Sequence, residues 1–195
     1  MTKFLRKARR DGFEAVERFV REAEDFLPAD FKTADPRTVT EALLRRLEII
    51  QNRAMKIKML RAIGPFEAPW VPLVFLDLLA DPSEEIRDLA VRELLGREDW
   101  TVSDLYSRLE KPPWYAKSTR LRMLGLKKDA GAVPHIRGTL GDPNSEVKRA
   151  AAWALGEIGG TEARALLVRL ARDANRYVRL AAEEALDRLC DFKFS

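Results

Sequence analysis

The 195-residue chain has very little cysteine and histidine, and this scarcity excludes several kinds of site. It contains one cysteine, Cys190, and one histidine, His135. A single cysteine excludes an intramolecular disulfide framework and a zinc or iron–sulfur centre built on clustered cysteines. A single histidine excludes any site that needs two imidazoles. Ten glycines and ten prolines exclude a collagen-like or low-complexity chain. We therefore expect no bound metal and no cofactor.

The chain also lacks a long apolar run. Its most apolar window, residues 70–80, is interrupted by Pro72 and Asp77, and it is much shorter than the roughly 20 residues that cross a bilayer. The basic residues near Met1 are followed by Asp11, where a secretion signal would place its apolar stretch. We expect a cytoplasmic protein with no membrane partner. The net charge of +4 permits an acidic partner without requiring one.

The chain is rich in internal repetition. Residues 142–155 align with residues 173–186 at an offset of 31, with seven identical positions. Earlier copies follow at nearly the same spacing, and their equivalent positions are Met55, Ile86, Ala116, Val147 and Val178. A fixed period of this length is typical of a stacked array of helical repeats.

Each copy carries the apolar pattern of an α-helix. Val147, Ala150, Ala151, Ala154 and Leu155 follow the spacing i, i+3, i+4, i+7, i+8. A second amphipathic segment precedes each such helix, so the chain is predicted to be all-α, with about five helix pairs. The predicted first helices span residues 38–51, 70–80, 101–110, 132–140 and 161–171. Residues 1–35 are predicted to form a capping helix, and residues 36–195 a single repeat array.

Helix boundaries are predicted from residues that cap and terminate helices. Asp81 and Asp142 are predicted to cap helix N-termini, with the following prolines in the first turn. Thr38 and Glu41 have the spacing of a capping box. Four glycines are predicted to mark helix ends: Gly96, Gly125, Gly156 and Gly159.

The repeat resembles a known family. The pattern Leu-x-x-x-Leu-x-Asp-Pro-x-x-x-Val-(Arg/Lys)-x-x-Ala-x-x-Ala-Leu-Gly is similar to the HEAT repeat, particularly its short bacterial form first described in phycobilisome lyases. The similarity is strongest over residues 129–190 and good over 66–97. It implies a right-handed α-solenoid whose second helices line the concave face. Fold resemblance alone says little about activity.

A basic residue recurs directly after the valine position of every copy, as Lys56, Arg87, Lys117, Lys148 and Arg179. Two interpretations are open. The cations form a positive ridge for a partner, or they pair with Asp81, Asp142 and Asp173 of neighbouring repeats. A charge kept in phase with a repeat usually serves stacking, which favours the pairing.

Departures from the repeat supply the candidate binding residues. Residues 111–128 contain six basic residues and no acid, and Trp153 stands at a position predicted to face solvent. Arginine next to an aromatic side chain is typical of a binding hot spot. The other interpretation of Trp153 is that it packs on the neighbouring repeat, as we expect for Trp70, Trp100 and Trp114. The predicted partner-binding residues are Arg87, Arg92, Lys117, Arg120, Arg122, Lys148, Arg149 and Trp153.

Catalytic signals are weak, and no catalytic residue is assigned. His135 and Cys190 lie in different repeats, and no phosphate-binding loop occurs. Trp153, Glu157 and Arg122 form a loose parallel with the DNA glycosylases of the alkylation-repeat family. The sequence therefore predicts a non-catalytic scaffold that binds an acidic or amphipathic protein segment on a basic concave face. A DNA-binding protein or a glycosylase of that family is the alternative.

Overall fold

The computed structural model describes residues 35–110 and 113–191. Every regular element within these two ranges is a helix. The helices there are α1 (Pro36–Ile49), α2 (Arg53–Ile63), α3 (Trp70–Leu78), α4 (Glu84–Leu95), α5 (Trp114–Leu126), α6 (Val133–Thr139), α7 (Ser145–Ile158), α8 (Gly160–Leu170) and α9 (Arg176–Asp191), with 3₁₀ helices at Val102–Arg108 and Ala130–Ala132. No strand occurs among these residues, so the all-α prediction is confirmed. The capping helix predicted over residues 1–35 falls, apart from Asp35, outside the described residues.

The helices follow one another in pairs, as the repeat predicts. The third pair is irregular, because its first member is the 3₁₀ helix Val102–Arg108 instead of an α-helix. Its start is held by Asp104, whose Oδ2 accepts a hydrogen bond from the Thr101 amide at 3.0 Å. Short polar side chains such as Asp104 and Ser107 compete for backbone groups and weaken a regular α-helix, which accounts for the tighter turn.

The chain divides into two compact units, and the boundary falls between Asp77 and Leu78. The described part of the first unit contains α1, α2 and α3 as far as Asp77. Its core is apolar and fully buried, with Leu43, Leu60 and Phe75 among its members. The single array expected over residues 36–195 stays a prediction.

In the second unit the helices form two layers. The inner helices α5, α7 and α9 pack side by side in chain order, and the outer helices α6 and α8 pack against each other. Each of these two outer helices also packs on the inner helix that follows it. A stack of helix pairs in which each pair contacts its neighbours is the arrangement of an α-solenoid.

Several helix starts differ from the prediction, although α3 begins at Trp70 as predicted. Helix α1 begins at Pro36 because Asp35 caps it, and its Oδ2 accepts a hydrogen bond from the Thr38 amide at 2.9 Å. The capping box predicted at Thr38 is therefore wrong. Helices α4 and α7 begin two residues later than predicted, after Ser83 and Asn144. The side chain of Asp142 accepts from the Asn144 amide at 2.9 Å, so it shapes the loop before the helix and does not cap the helix itself.

Two of the predicted helix-ending glycines lie inside helices instead. Gly125 is in α5 and Gly156 is in α7. A Cβ at position 125 would lie 2.6 Å from Cζ3 of Trp153, and a Cβ at position 156 would lie 2.8 Å from Cβ of Ala185. These glycines therefore serve the close approach of neighbouring inner helices. Gly96 and Gly159 do stand at helix ends, as predicted.

Replacing Gly125 with alanine is expected to destabilise the second unit. Alanine favours an isolated helix over glycine by up to about 1 kcal/mol, but here its methyl group would overlap the Trp153 ring. We expect a net loss of about 2 kcal/mol, the usual size of an overpacking penalty. Urea unfolding followed by circular dichroism measures it.

Gly138→Ala is the matched control, because Gly138 also lies in a helix and a Cβ there meets nothing within 4 Å. This variant should keep or slightly raise the stability. If Gly125→Ala also kept or raised the stability, the packing of α5 on α7 would not limit the size of the side chain at position 125.

Candidate functional site

Lysines and aspartates of successive repeats form a ladder of ion pairs. Nζ of Lys117 lies 2.7 Å from Oδ2 of Asp142, and Nζ of Lys148 lies 2.7 Å from Oδ2 of Asp173. In each pair the lysine belongs to one inner helix and the aspartate to the loop before the next. The other carboxylate oxygen accepts a hydrogen bond from a loop amide. The stacking interpretation is thus confirmed for these two cations.

The contacts of the ladder lower the pKa values of its two aspartates, Asp142 and Asp173. Burial by itself raises the pKa of Asp173, but the hydrogen bond from Lys148 and the amide of Asn175 outweigh burial, so the pKa lies below its ordinary value. The pKa of Asp142 is lowered by the same balance, with burial opposing and Lys117 and the Asn144 amide prevailing. Both carboxylates are therefore stabilised in their charged form by folding.

Two repeats have arginine, Arg87 or Arg179, where the ladder has lysine, and these arginines donate hydrogen bonds to backbone carbonyl groups. Nη1 of Arg87 donates to the carbonyl oxygens of Asp81 and Pro82 in its own loop, at 2.8 and 2.9 Å. Arg179 makes the same two contacts with the loop before α9. The sequence explains Arg87, because position 111 holds lysine where the equivalent positions of the later repeats, 142 and 173, hold aspartate.

A groove of about 430 Å³ runs across the inner helices of the second unit. Helices α4, α5, α7 and α9 all contribute to its walls. Its charged and aromatic lining consists of Glu84, Arg87, Trp114, Tyr115, Arg122, Glu146, Arg149, Trp153, Glu184 and Arg188. The lining therefore holds four arginines and three glutamates, and its cations are nearly balanced by its acids.

Three of the four groove arginines form ion pairs with carboxylates on α4 or on the inner helices. Arg149 lies 2.9 Å from Glu146 on the same helix, and Arg122 of α5 lies 3.4 Å from Asp88 of α4. Arg188 of α9 lies 4.0 Å from Glu157 of α7. Solvent reaches all three pairs, and such pairs contribute at most about 1 kcal/mol each. They hold the guanidinium groups in place, and breaking such a pair costs little free energy.

Aromatic side chains give the groove its apolar surface. The ring of Trp153 packs on Gly125 of α5, which confirms that it contacts the neighbouring repeat. Its remaining surface lines the groove, and its role in binding stays a prediction. Cζ of Arg87 lies 4.9 Å from the ring centroid of Tyr115, within the range of a cation–π contact. Trp114 is 48% exposed at the edge of the groove, so the expectation that it packs internally is wrong.

The structure brings four of the eight predicted binding residues into this groove: Arg87, Arg122, Arg149 and Trp153. Lys117 and Lys148 belong to the ladder. Arg92 is exposed on α4 but does not line the groove. Arg120 is only 5% exposed and donates to the Arg108 carbonyl at 2.6 Å, because its stripe position points into the core.

Sequence reasoning missed several groove residues. Trp114, Tyr115, Glu184 and Arg188 line the groove but were not predicted to do so. The repeat period contains the signal that would have found two of them, since Tyr115 and Glu184 lie 31 residues from the groove residues Glu146 and Trp153.

The alternative catalytic arrangements gain no support from this geometry. Glu157 does not line the groove and pairs with Arg188, while Arg122 pairs with Asp88. His135 stacks on Tyr106 with ring centroids 4.1 Å apart. Burial, followed by the hydrogen bond to Asp129, raises the pKa of Tyr106 to about 12. Residues 35–110 and 113–191 contain no group of three side chains suited to holding a metal ion.

Comparison with protein families supports the repeat assignment. Residues 102–187 match the family model for HEAT repeats, so the match runs from the 3₁₀ helix of the third pair through most of α9. The finer assignment to the short bacterial type stays a prediction. No curated protein sequence matches the chain. In the described part of the chain no helix has the length and apolar character to span a membrane.

The ladder predicts how stability depends on pH. Lys148→Met leaves the Asp173 carboxylate without its ammonium partner and should cost about 2 kcal/mol at neutral pH, the usual contribution of a hydrogen bond to a charged group. A carboxyl with a lowered folded pKa stabilises the protein above its unfolded value, and this stabilisation is lost as the pH falls through the folded pKa. The difference between wild type and variant should therefore shrink below pH 3.8, the ordinary value.

Lys58→Met on the exposed face of α2 is the control for Lys148→Met. Urea unfolding across a pH series should show little change for it. A loss of stability for Lys148→Met that persists unchanged at low pH would mean that packing, and not the ion pair, connects these repeats.

Proposed function

We propose that this protein is a non-catalytic HEAT-repeat scaffold whose second unit binds an acidic or amphipathic segment of another protein. The observation that carries the proposal is the lining of the groove, which four arginines share with Trp114, Tyr115 and Trp153. Arginine and aromatic side chains dominate binding energy at protein interfaces, especially near the centre of a concave surface. Lysine, which is depleted at interfaces, does not occur in the lining.

The charge balance favours a protein partner over nucleic acid. A surface that binds phosphates needs a clear excess of cations, and here four arginines face three glutamates. The lysines that could add positive charge, Lys117 and Lys148, are engaged by aspartates in the ladder.

The packing of the second unit suits it to binding without rearrangement. Its inner helices are in close contact at Gly125 and Gly156, and the ladder connects successive repeats. A binding surface that is already ordered loses little conformational entropy when its partner arrives. We therefore expect the groove to keep its shape when a partner binds.

A photoreactive amino acid placed in the groove tests the proposal in cells. Substituted at Arg149, it should cross-link to another protein after irradiation, because that side chain stands in the groove wall. The matched control is the same substitution at Arg169, which is exposed on the outer helix α8. A protein adduct at position 149 and none at 169, identified by mass spectrometry, is the expected result. The same substitution can be made at Trp114, which also lines the groove. If neither position 149 nor position 114 gave a protein adduct, the proposal would be contradicted.

Titration with duplex DNA distinguishes the alternative. We expect no strong binding of DNA at low salt and hence no steep fall of affinity as salt is added. The reason is that this lining could neutralise few phosphates. Fluorescence anisotropy at two salt concentrations measures it. Tight, strongly salt-dependent binding that disappears in an Arg122→Gln/Arg149→Gln variant would favour a nucleic-acid partner instead.

A further inference from the structure

Three groove residues occupy the same position of the repeat on three neighbouring helices. Arg122 of α5, Trp153 of α7 and Glu184 of α9 are separated by 31 residues each, and all three line the groove. The contacts of Gly125 with Trp153 and of Gly156 with Ala185 hold these helices side by side. The three side chains therefore form a row across the helices, which we call the cross-repeat row. Its order is cationic, aromatic, anionic.

The spacing of the row fits an α-helical ligand. Packed helices lie about 8–10 Å apart, so successive members of the row recur at about that distance. On an α-helix, residues seven apart lie on the same face, at a separation of about 10.5 Å. On a β-strand, same-face residues are separated by about 6.6 or 13 Å, which misses the spacing of the row.

Resting on the proposed function, we propose that the bound segment is an α-helix that lies along the cross-repeat row. It carries an acidic residue against Arg122, an apolar residue on Trp153 and a basic residue against Glu184, each seven residues from the next. A helix dipole favours acids near the N-terminus and bases near the C-terminus. The N-terminal end of the segment therefore lies at α5 and its C-terminal end at α9.

The side chains of the row are accessible for these contacts. The Arg122 side chain is 58% exposed, and a guanidinium has five N–H donors, so the contact with Asp88 leaves donors for a partner's carboxylate. Glu184 is exposed on α9. Trp153 is half-buried, with its ring edge packed against Gly125 and the rest turned toward the groove.

Designed helical peptides test the order of charges. The probe is a stapled, alanine-rich peptide of about 18 residues, long enough for three positions seven apart, with glutamate, leucine and lysine at those positions. One comparison peptide carries lysine at both outer positions (Lys-Leu-Lys), and the other carries glutamate at both (Glu-Leu-Glu). Fluorescence anisotropy should show that the wild-type protein binds the Glu-Leu-Lys peptide at least fivefold more tightly than either comparison peptide.

Reversing the charge of Arg122 or Glu184 then tests whether these residues contact the charged positions of the peptide. Arg122→Glu should weaken binding of the Glu-Leu-Lys peptide and should bind the Lys-Leu-Lys peptide more tightly than wild type does. Glu184→Lys should do the same for the Glu-Leu-Glu peptide. Circular dichroism checks that both variants keep their helical content. A general loss of fold would weaken every peptide alike and could not produce these rescues.

Equal affinities for all three peptides, no binding of any of them, or no rescue in either variant would overturn the proposal. These failures are distinct from failure of the scaffold function. Cross-linking at Arg149 together with peptides that do not discriminate would leave the groove as a binding site and reject the helical, charge-ordered ligand.

Discussion

The close approach of the inner helices is the constraint on which the second unit depends. At Gly125 and Gly156 the neighbouring helix lies so near that a single Cβ would overlap it. Because interiors are packed to the density of organic crystals, such contacts fix the distance and the register between helices. Residues at one position of the repeat, such as Arg122, Trp153 and Glu184, therefore line the same groove, and this alignment turns a sequence period into a continuous groove wall.

The alignment also separates two kinds of positive charge. Lysines after the valine position pair with aspartates of the next loop, where Lys148 and Asp173 are both largely screened from solvent. Arginines on the groove side make exposed pairs, as Arg149 does with Glu146. A partly buried pair with additional hydrogen bonds stabilises stacking, whereas an exposed pair contributes little and remains available for exchange. The ladder and the groove wall thus use different cations, although the sequence presents them close together.

The sequence predicted much of the fold because the repeat is a local pattern. Apolar spacing and the 31-residue period located the helix pairs, while helix starts were displaced where Asp142 bonds a loop amide. The groove was harder to predict, because its charge depends on pairs between distant residues. Asp88 and Arg122 are 34 residues apart, so counting bases along one helix overstated the positive charge. Arg120 was misplaced because a stripe position that usually holds alanine buries a long side chain there.

Helix α9 carries different residues at the positions that stack one inner helix on the next. Where α7 has the buried Ala152 and Gly156, α9 has the exposed Glu183 and Asp187. A face with two carboxylates does not bury another helix of the same kind, since desolvating unpaired charges is very costly. On the proposed ligand geometry, these carboxylates add to the negative charge of Glu184 on α9, while Arg188 of the same helix is paired with Glu157, so the basic end of a bound helix is expected at α9.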